Sequence, residues 1–281
     1  MSELSTTFTG VRAATPLGRL AAGVVLLLVA AGCAAPVSSA TTREDTADAQ
    51  VTAAAPAPDA AAGAMRAVRP AAGPLRLDGV PHAAWARGQI DLFAQPSASS
   101  QIGLYPAHTA WGGSSVFLVQ QALRDRDGEV WMEVLVPRRP NGTKAWVRGR
   151  DFILAPLEYQ VQVDVSERRL RLLQGDRVLR DFPVAVGAPA TPTPLGQFFV
   201  TVKLRPPAIS RVYGDWALGL SGYSDVLDQF GTGDGQIALH GTRGTWALGR
   251  AASNGCVRLA NADVSELARL LPPGTPVTIV A

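Results

Sequence analysis

Cysteine is nearly missing from this sequence, histidine is rare, and charge of both signs is sparse. Among 281 residues there are two cysteines, Cys33 and Cys256, and three histidines, His82, His108 and His240. Three imidazoles and so few thiols cannot assemble a zinc site of the usual kind within one chain, and neither a metal nor another cofactor is expected. Charged residues make up 17% of the chain and the formal net charge is +3. That surplus is too small and too scattered for a nucleic-acid-binding surface. Long apolar runs are lacking as well. The run from Leu20 to Ala31 has 12 residues, against the ~20 that a membrane-spanning helix needs.

What the N-terminus does have is Arg12 and Arg19, then this short apolar core, then Gly32 and Cys33. The order is that of an export signal peptide. VAAGC, which ends at Cys33, resembles the lipobox of bacterial lipoproteins, although Ala30 stands where that pattern prefers leucine. The resemblance implies an exported protein, lipid-anchored at Cys33 to the cell membrane and facing the cell wall, with residues 1–33 as signal peptide and lipobox. Residues 34–78 are rich in alanine and proline, as in VTAAAPAPDAAAGA, and hold too little bulky apolar surface to offset the entropy of ordering. A disordered tether is expected there. Over ~40 residues a flexible chain averages roughly 35 Å end to end and reaches at most about 140 Å, which would lift the folded part toward the wall.

The rest reads as mainly β structure. Val161, Val163 and Val165 alternate with Gln160, Gln162 and Asp164, and Phe198, Val200, Val202 and Leu204 alternate with Phe199, Thr201 and Lys203. Between these runs, RLRLLQGDRVLRDFPVAVG reads as two strands joined at Gln174, Gly175 and Asp176. One short helix is expected after Cys256, with Asp263 as N-cap, Glu266 three residues on, and a stripe of Val264, Leu267, Ala268 and Leu271. Upstream, residues 79–156 contain the short strands QIDLFAQ, SVFLVQQALRD, VWMEVLVP and TKAWVRG, with a hairpin signal at Asn141 and Gly142. VWMEVLVPRRPNGTKAWVRGRDF resembles bacterial SH3-like domains, small barrels appended to wall-acting enzymes. Trp131 and Trp146 belong in its core or along a ligand groove.

Residues 157–281 carry the chemistry. Cys256 in ASNGCVRL would be the one thiol left once Cys33 carries lipid, and it is either a reactive group or a small buried hydrophobe. His240, in QIALHGTRG, stands 16 residues before it. A thiol with a pKa of ~8.5 is only slightly ionised at neutral pH, and a neighbouring imidazole can take its proton. Gly255 lets a substrate carbonyl approach and leaves backbone N–H groups at 255 and 256 to face an oxyanion. If residues 256–258 are extended, Cys256 and Arg258 project from one face. Arg258 would then bond nearby carbonyls or a substrate carboxylate.

His240-Gly241-Thr242, followed by Ser253-Asn254-Gly255-Cys256-Val257-Arg258, resembles the signature of the L,D-transpeptidases with a YkuD-type catalytic domain. The resemblance extends back through VQVDVSERRLRLLQGD and VGAPATPTPLGQFFV and covers residues 157–281. It implies a β-sandwich or barrel in which Cys256 attacks the amide between the third and fourth residues of a peptidoglycan stem tetrapeptide. D-alanine leaves, a thioester forms, and an amine of a neighbouring stem resolves it as a three-to-three cross-link. His240 is then general base and later acid, the Gly255 and Cys256 amides form the oxyanion hole, and Ser253 bonds within the turn. Gly241, Thr242 and Arg258 support the site. Asn254 departs from the commoner histidine at its position. Carbapenems are the implied covalent inhibitors.

Residues 205–235, RPPAISRVYGDWALGLSGYSDVLDQFGTGDG, show no clean periodicity and are expected to form a substrate loop or lid, with Tyr213, Trp216 and Tyr223 lining a groove. Three other activities use overlapping features: an L,D-carboxypeptidase with water as acceptor, a sortase-like acyl transferase, and a non-catalytic wall-binding lipoprotein. Sortases separate their histidine and arginine more widely from the cysteine. The non-catalytic reading does not need both nucleophile and base, and both are here.

Overall fold

Period-2 alternation builds two sheets in the computed structural model, which describes residues 72–206, 212–229 and 233–281. The signal peptide, Cys33 and the tether as far as residue 71 lie outside the described residues. Among the described residues no helix is long and apolar enough to cross a membrane.

The first sheet runs, from one edge to the other, Gln101–Tyr105, Ile90–Phe93, Lys144–Arg148, Val130–Leu135, Val116–Arg124, His82–Ala86 and Phe152–Pro156, with Gly73–Leu75 added alongside Val116–Arg124. The expected strands are all present, and Ile90, Phe117, Met132, Val134, Val147 and Phe152 form its core. Trp131 belongs to the interior. It is 2% exposed, its indole N–H donates to Asp125 Oδ2 at 2.9 Å, and it meets Phe93 edge to face at 5.0 Å. Residues 73–78 are a correction to the tether. Gly73–Leu75 pairs with Ala122–Arg124, and Leu75 and Leu77 pack on the core. The alternating leucines of PLRL supply enough apolar surface to add one strand to a sheet whose other strands already exist.

The second sheet runs Arg177–Pro183, Arg169–Gln174, Gln160–Asp164, Pro276–Val280, Gly196–Leu204, Ala217–Tyr223, Gln236–Thr242 and Val257–Ala260. Val161, Val163, Leu170, Leu172, Phe198, Val200, Leu218, Leu239, Val257 and Leu259 meet helix residues Val264, Leu267 and Ala268 in one core. The helix spans Asn261–Leu270 with Ala260 as N-cap, so it begins earlier than expected and Asp263 lies in its first turn. There the carboxylate faces the positive end of the helix rather than capping it through a side-chain bond.

A second correction concerns residues 205–235. They contain a strand, Ala217–Tyr223, buried along nearly its whole length. Its glycines hid it from a period-2 reading. A Cβ on Gly222 would stand 2.5 Å from Phe198 Cδ1, and one on Gly219 2.9 Å from Val202 Cγ1, so close strand packing selects residues of low β-propensity. Residues 207–211 and 230–232 lie outside the described residues.

The two sheets share an apolar contact in which Phe199 packs with Ala83, Val116, Leu118, Leu135 and Leu157. Phe198 points into one core and Phe199 into this contact, which is why both faces of FFV are buried. Gly274, at φ +98°, comes so close that a Cβ would stand 2.4 Å from Ala83 Cβ. The full chain should therefore show one coupled thermal transition for both sheets. Phe199→Ala should remove ~3–5 kcal/mol and lower Tm by roughly 10 °C for a body of this size. Calorimetry checks this, and two transitions that Phe199→Ala leaves unmoved would contradict the shared contact.

Candidate active site

The segment ASNGCVRL folds as strand Ala251–Ser253, a turn, and strand Val257–Ala260. Gly255 sits in the turn at φ +110°, and a Cβ there would meet nothing nearer than Pro192 O at 3.5 Å. Backbone conformation rather than space selects glycine. Ser253 does what was expected of it and ties the turn. Its hydroxyl donates to Cys256 O at 2.5 Å and accepts from Gly255 N–H at 3.2 Å. That second bond engages one of the two amides expected to face an oxyanion. Ser253 O is held in turn by Thr191 Oγ1 at 3.1 Å and Ala188 N–H at 2.9 Å. Asn254 is exposed beside them.

Strands Gln236–Thr242 and Val257–Ala260 pair in parallel with His240 opposite Arg258, Gly241 opposite Leu259 and Thr242 opposite Ala260. Side chains opposite each other in such a pair share a face. Two positions before His240 and Arg258, the Ala238 N–H donates to Cys256. Cys256, His240 and Arg258 consequently line one pocket, together with Asn254 and with Val212, Ser224, Leu227, Gln236 and Ile237. Gly241 and Thr242 are buried behind it. Gly241 also has no room for a side chain, since a Cβ would stand 2.2 Å from Asn261 Oδ1.

His240 is 2% exposed, and its Nδ1 lies 2.7 Å from Gly241 O. A carbonyl oxygen can only accept, so Nδ1 carries the hydrogen and Nε2 keeps a free lone pair. Burial drives the imidazole pKa down to about 4, with the Arg258 guanidinium adding to the effect and the Gly241 bond opposing it. Burial likewise pushes the Cys256 thiol up, against the Ala238 N–H and Arg258. The resting pair is therefore a protonated thiol beside a neutral imidazole. Low polarity disfavours both charges of an ion pair. Proton transfer is left to the moment of attack. Arg258 Nε is buried with no hydrogen-bond partner, an open donor at the pocket.

The three aromatics divide. Tyr213 meets His240 edge to face at 5.1 Å, and burial followed by the nearby Cys256 raises its phenol pKa, so it belongs to the site. Trp216 packs on the second core with the Arg205 guanidinium 5.2 Å from its ring centroid. Tyr223 donates to Pro137 O at 3.3 Å and lies under Arg139. Sequence reasoning passed over Asn261, whose Oδ1 accepts the Asp215 N–H at 3.2 Å and so fastens the segment that follows Tyr213. It also passed over the pocket residues Ser224, Leu227 and Gly235, which lie in the aperiodic stretch, and Gln236 and Ile237 at the start of the strand that follows. Among the described residues no group of three or more His, Cys, Asp or Glu is placed to hold a metal ion.

Comparison with known proteins places the same residues in context. Residues 158–279 match the profile of the L,D-transpeptidase catalytic domain, YkuD. The chain is similar to the putative L,D-transpeptidase YkuD of Bacillus subtilis, 35% identical over 123 residues, which are 44% of this chain and 66% of that protein. It is also similar to the putative L,D-transpeptidase YqjB of Bacillus subtilis, 35% identical over 132 residues, covering 44% of this chain and 73% of that protein. A solved L,D-transpeptidase from Xylanimonas cellulosilytica aligns at 25% identity and a TM-score of 0.33, over 44% of this chain and 61% of that one.

Proposed function

The chain belongs to the YkuD-type L,D-transpeptidase family, and from that premise we propose that it joins peptidoglycan stem peptides through a thioester on Cys256. The observation that carries the reading is the pocket itself, where a thiol, a neutral imidazole with Nε2 free and a guanidinium whose Nε has no partner converge. As a stem tetrapeptide enters, Cys256 Sγ bonds to the carbonyl carbon of the third residue while Nε2 of His240 takes the thiol proton. The developing oxyanion is met by the Cys256 N–H, because the Gly255 N–H already has Ser253 Oγ as acceptor. Collapse breaks the amide C–N bond, and His240 returns its proton to the departing D-alanine nitrogen. An amine of a second stem then attacks the thioester, loses a proton to His240, and releases the thiol with a new amide formed. Arg258 supplies the donor that a stem carboxylate or carbonyl accepts.

The same nucleophile is expected to capture carbapenems covalently, as the thiol bonds to the lactam carbonyl carbon, the strained C–N bond breaks, and the nitrogen takes the proton and stays tethered. Export, a lipid anchor at Cys33 and an SH3-like N-terminal unit that keeps the enzyme at the wall complete the proposal. They are supported by the sequence from Arg12 to Cys33 and by the small all-β unit ahead of the catalytic sheet.

The test is incubation of the protein with purified disaccharide tetrapeptides, followed by mass spectrometry. A cross-linked dimer with loss of one D-alanine is expected. Free tripeptide alone would mean that water is the acceptor and the protein an L,D-carboxypeptidase. Unchanged substrate would refute both. Arg258→Met should raise KM for the tetrapeptide by about tenfold or more, as loss of a charged hydrogen bond does. Steady-state kinetics checks it, and an unchanged KM would remove Arg258 from substrate binding.

A further inference from the structure

One wall of the pocket is the backbone that carries Ser224, Leu227, Gly235 and Gln236, and it is held from the other sheet. The hairpin after strand Val130–Leu135 brings Arg139 and Asn141 to it. Arg139 Nη1 donates to Ser224 O at 2.6 Å, while its Nη2 donates to Leu227 O at 2.9 Å and Asp234 O at 3.1 Å. The Asn141 amide donates to Tyr223 O at 2.8 Å and Asp225 Oδ1 at 3.1 Å, and its Oδ1 accepts the Tyr223 N–H at 2.9 Å. The same guanidinium lies 5.1 Å from the Tyr223 ring centroid. Space at the neck of this wall is gone: a Cβ on Gly235 would stand 2.3 Å from Leu227 O and 2.7 Å from Arg139 Nη2.

We propose that Arg139 and Asn141 are positioning residues for the acyl donor, so that the N-terminal unit shapes the substrate pocket of the catalytic sheet. This rests on the proposed transpeptidase reading. Three carbonyls from separate points of the wall converge on one guanidinium, and only a planar fork reaches them together; a lysine ammonium on a flexible stem would hold fewer of them. Without the fork these carbonyls lose their donor and the wall is free to move, so substrate must order it on binding. His240 sits on strand Gln236–Thr242 and Cys256 in the turn before Val257–Ala260, and Arg139 bonds to neither. The consequence is an effect on substrate binding with the chemical step little changed.

The test compares full-length Arg139→Ala, Arg139→Lys and Asn141→Ala with the wild type. For Arg139→Ala, KM for the disaccharide tetrapeptide should rise about tenfold while kcat falls no more than about twofold. Arg139→Lys should restore only part of this, and Asn141→Ala should show a smaller rise of the same kind. Amide exchange at Val226 and Leu227, whose N–H groups donate to Ser224 Oγ at 3.3 and 3.1 Å, should speed up about tenfold in Arg139→Ala with the core strands unchanged. If Arg139→Ala does not fold, Asn141→Ala decides by the same two readouts. An unchanged KM, a loss confined to kcat, or unchanged exchange would overturn the inference while leaving the transpeptidase reading intact. A wild type that leaves the tetrapeptide untouched would refute that reading instead, and exchange would still decide whether the hairpin holds the wall.

Discussion

Cys256→Ala should abolish the proposed cross-linking and every covalent adduct while the protein keeps its fold. The residue is the only free cysteine among the described residues and is half-buried in the turn. Truncating it removes one sulfur beside a glycine and leaves no charged group stranded. The bonds that shape the turn run through Ser253 Oγ and the Cys256 carbonyl, which alanine retains. Stability should therefore change by about 1 kcal/mol or less, since a single small side-chain atom is lost. Activity has no second route, because removing a covalent nucleophile removes the intermediate. Tetrapeptide turnover and carbapenem mass addition are the measurements. Adducts at another residue, or cross-linking that persists in the alanine variant, would place the chemistry elsewhere.

His240→Ala should lower the rate of thioester formation by about 10²–10⁴, the range a positioned general base contributes. Two consequences follow from the neutral resting pair. In the wild type the base stays unprotonated down to about pH 4, so the acid limb of kcat/KM should fall near that pH and not near 6.5. Stability moves in the same window. In the unfolded chain the imidazole takes a proton as pH drops below its ordinary 6.5, whereas the folded one resists until about 4. The unfolded state binds more protons between these values, so stability is full above 6.5 and is lost as pH falls toward 4, by roughly 3 kcal/mol in total. His240→Gln should remove that acid loss. Denaturant melts between pH 4 and 7 check the sign, and a variant whose acid loss equals that of the wild type would contradict the buried neutral imidazole.

What could be read directly from the sequence was whatever local periodicity or a tight motif controls. Val161 and Val163, the paired strands around Gly175 and the helix stripe depend on near neighbours, and each took the expected form. Three things depended on distant neighbours. The strand Ala217–Tyr223 was concealed because packing against Phe198 and Val202 demands glycine, which local propensity reads as loop. Phe199 looked like one half of an alternation and proved buried on account of a contact with Ala83 and Val116. The protonation of the site depends on how deeply His240 and Cys256 are enclosed, and composition carries no trace of depth. Arg139 and Asn141 were visible as hairpin residues, but their partners lie more than 80 residues away.

The central claim is that Cys256 carries the acyl group, and intact-protein mass spectrometry tests it most directly. The wild type mixed with disaccharide tetrapeptide and quenched in acid should gain the mass of the substrate less D-alanine. Peptide mapping should put that mass on the fragment containing Asn254 to Arg258, labile to hydroxylamine as a thioester is. Product formation with no trappable adduct, or an adduct on any other fragment, would contradict the account.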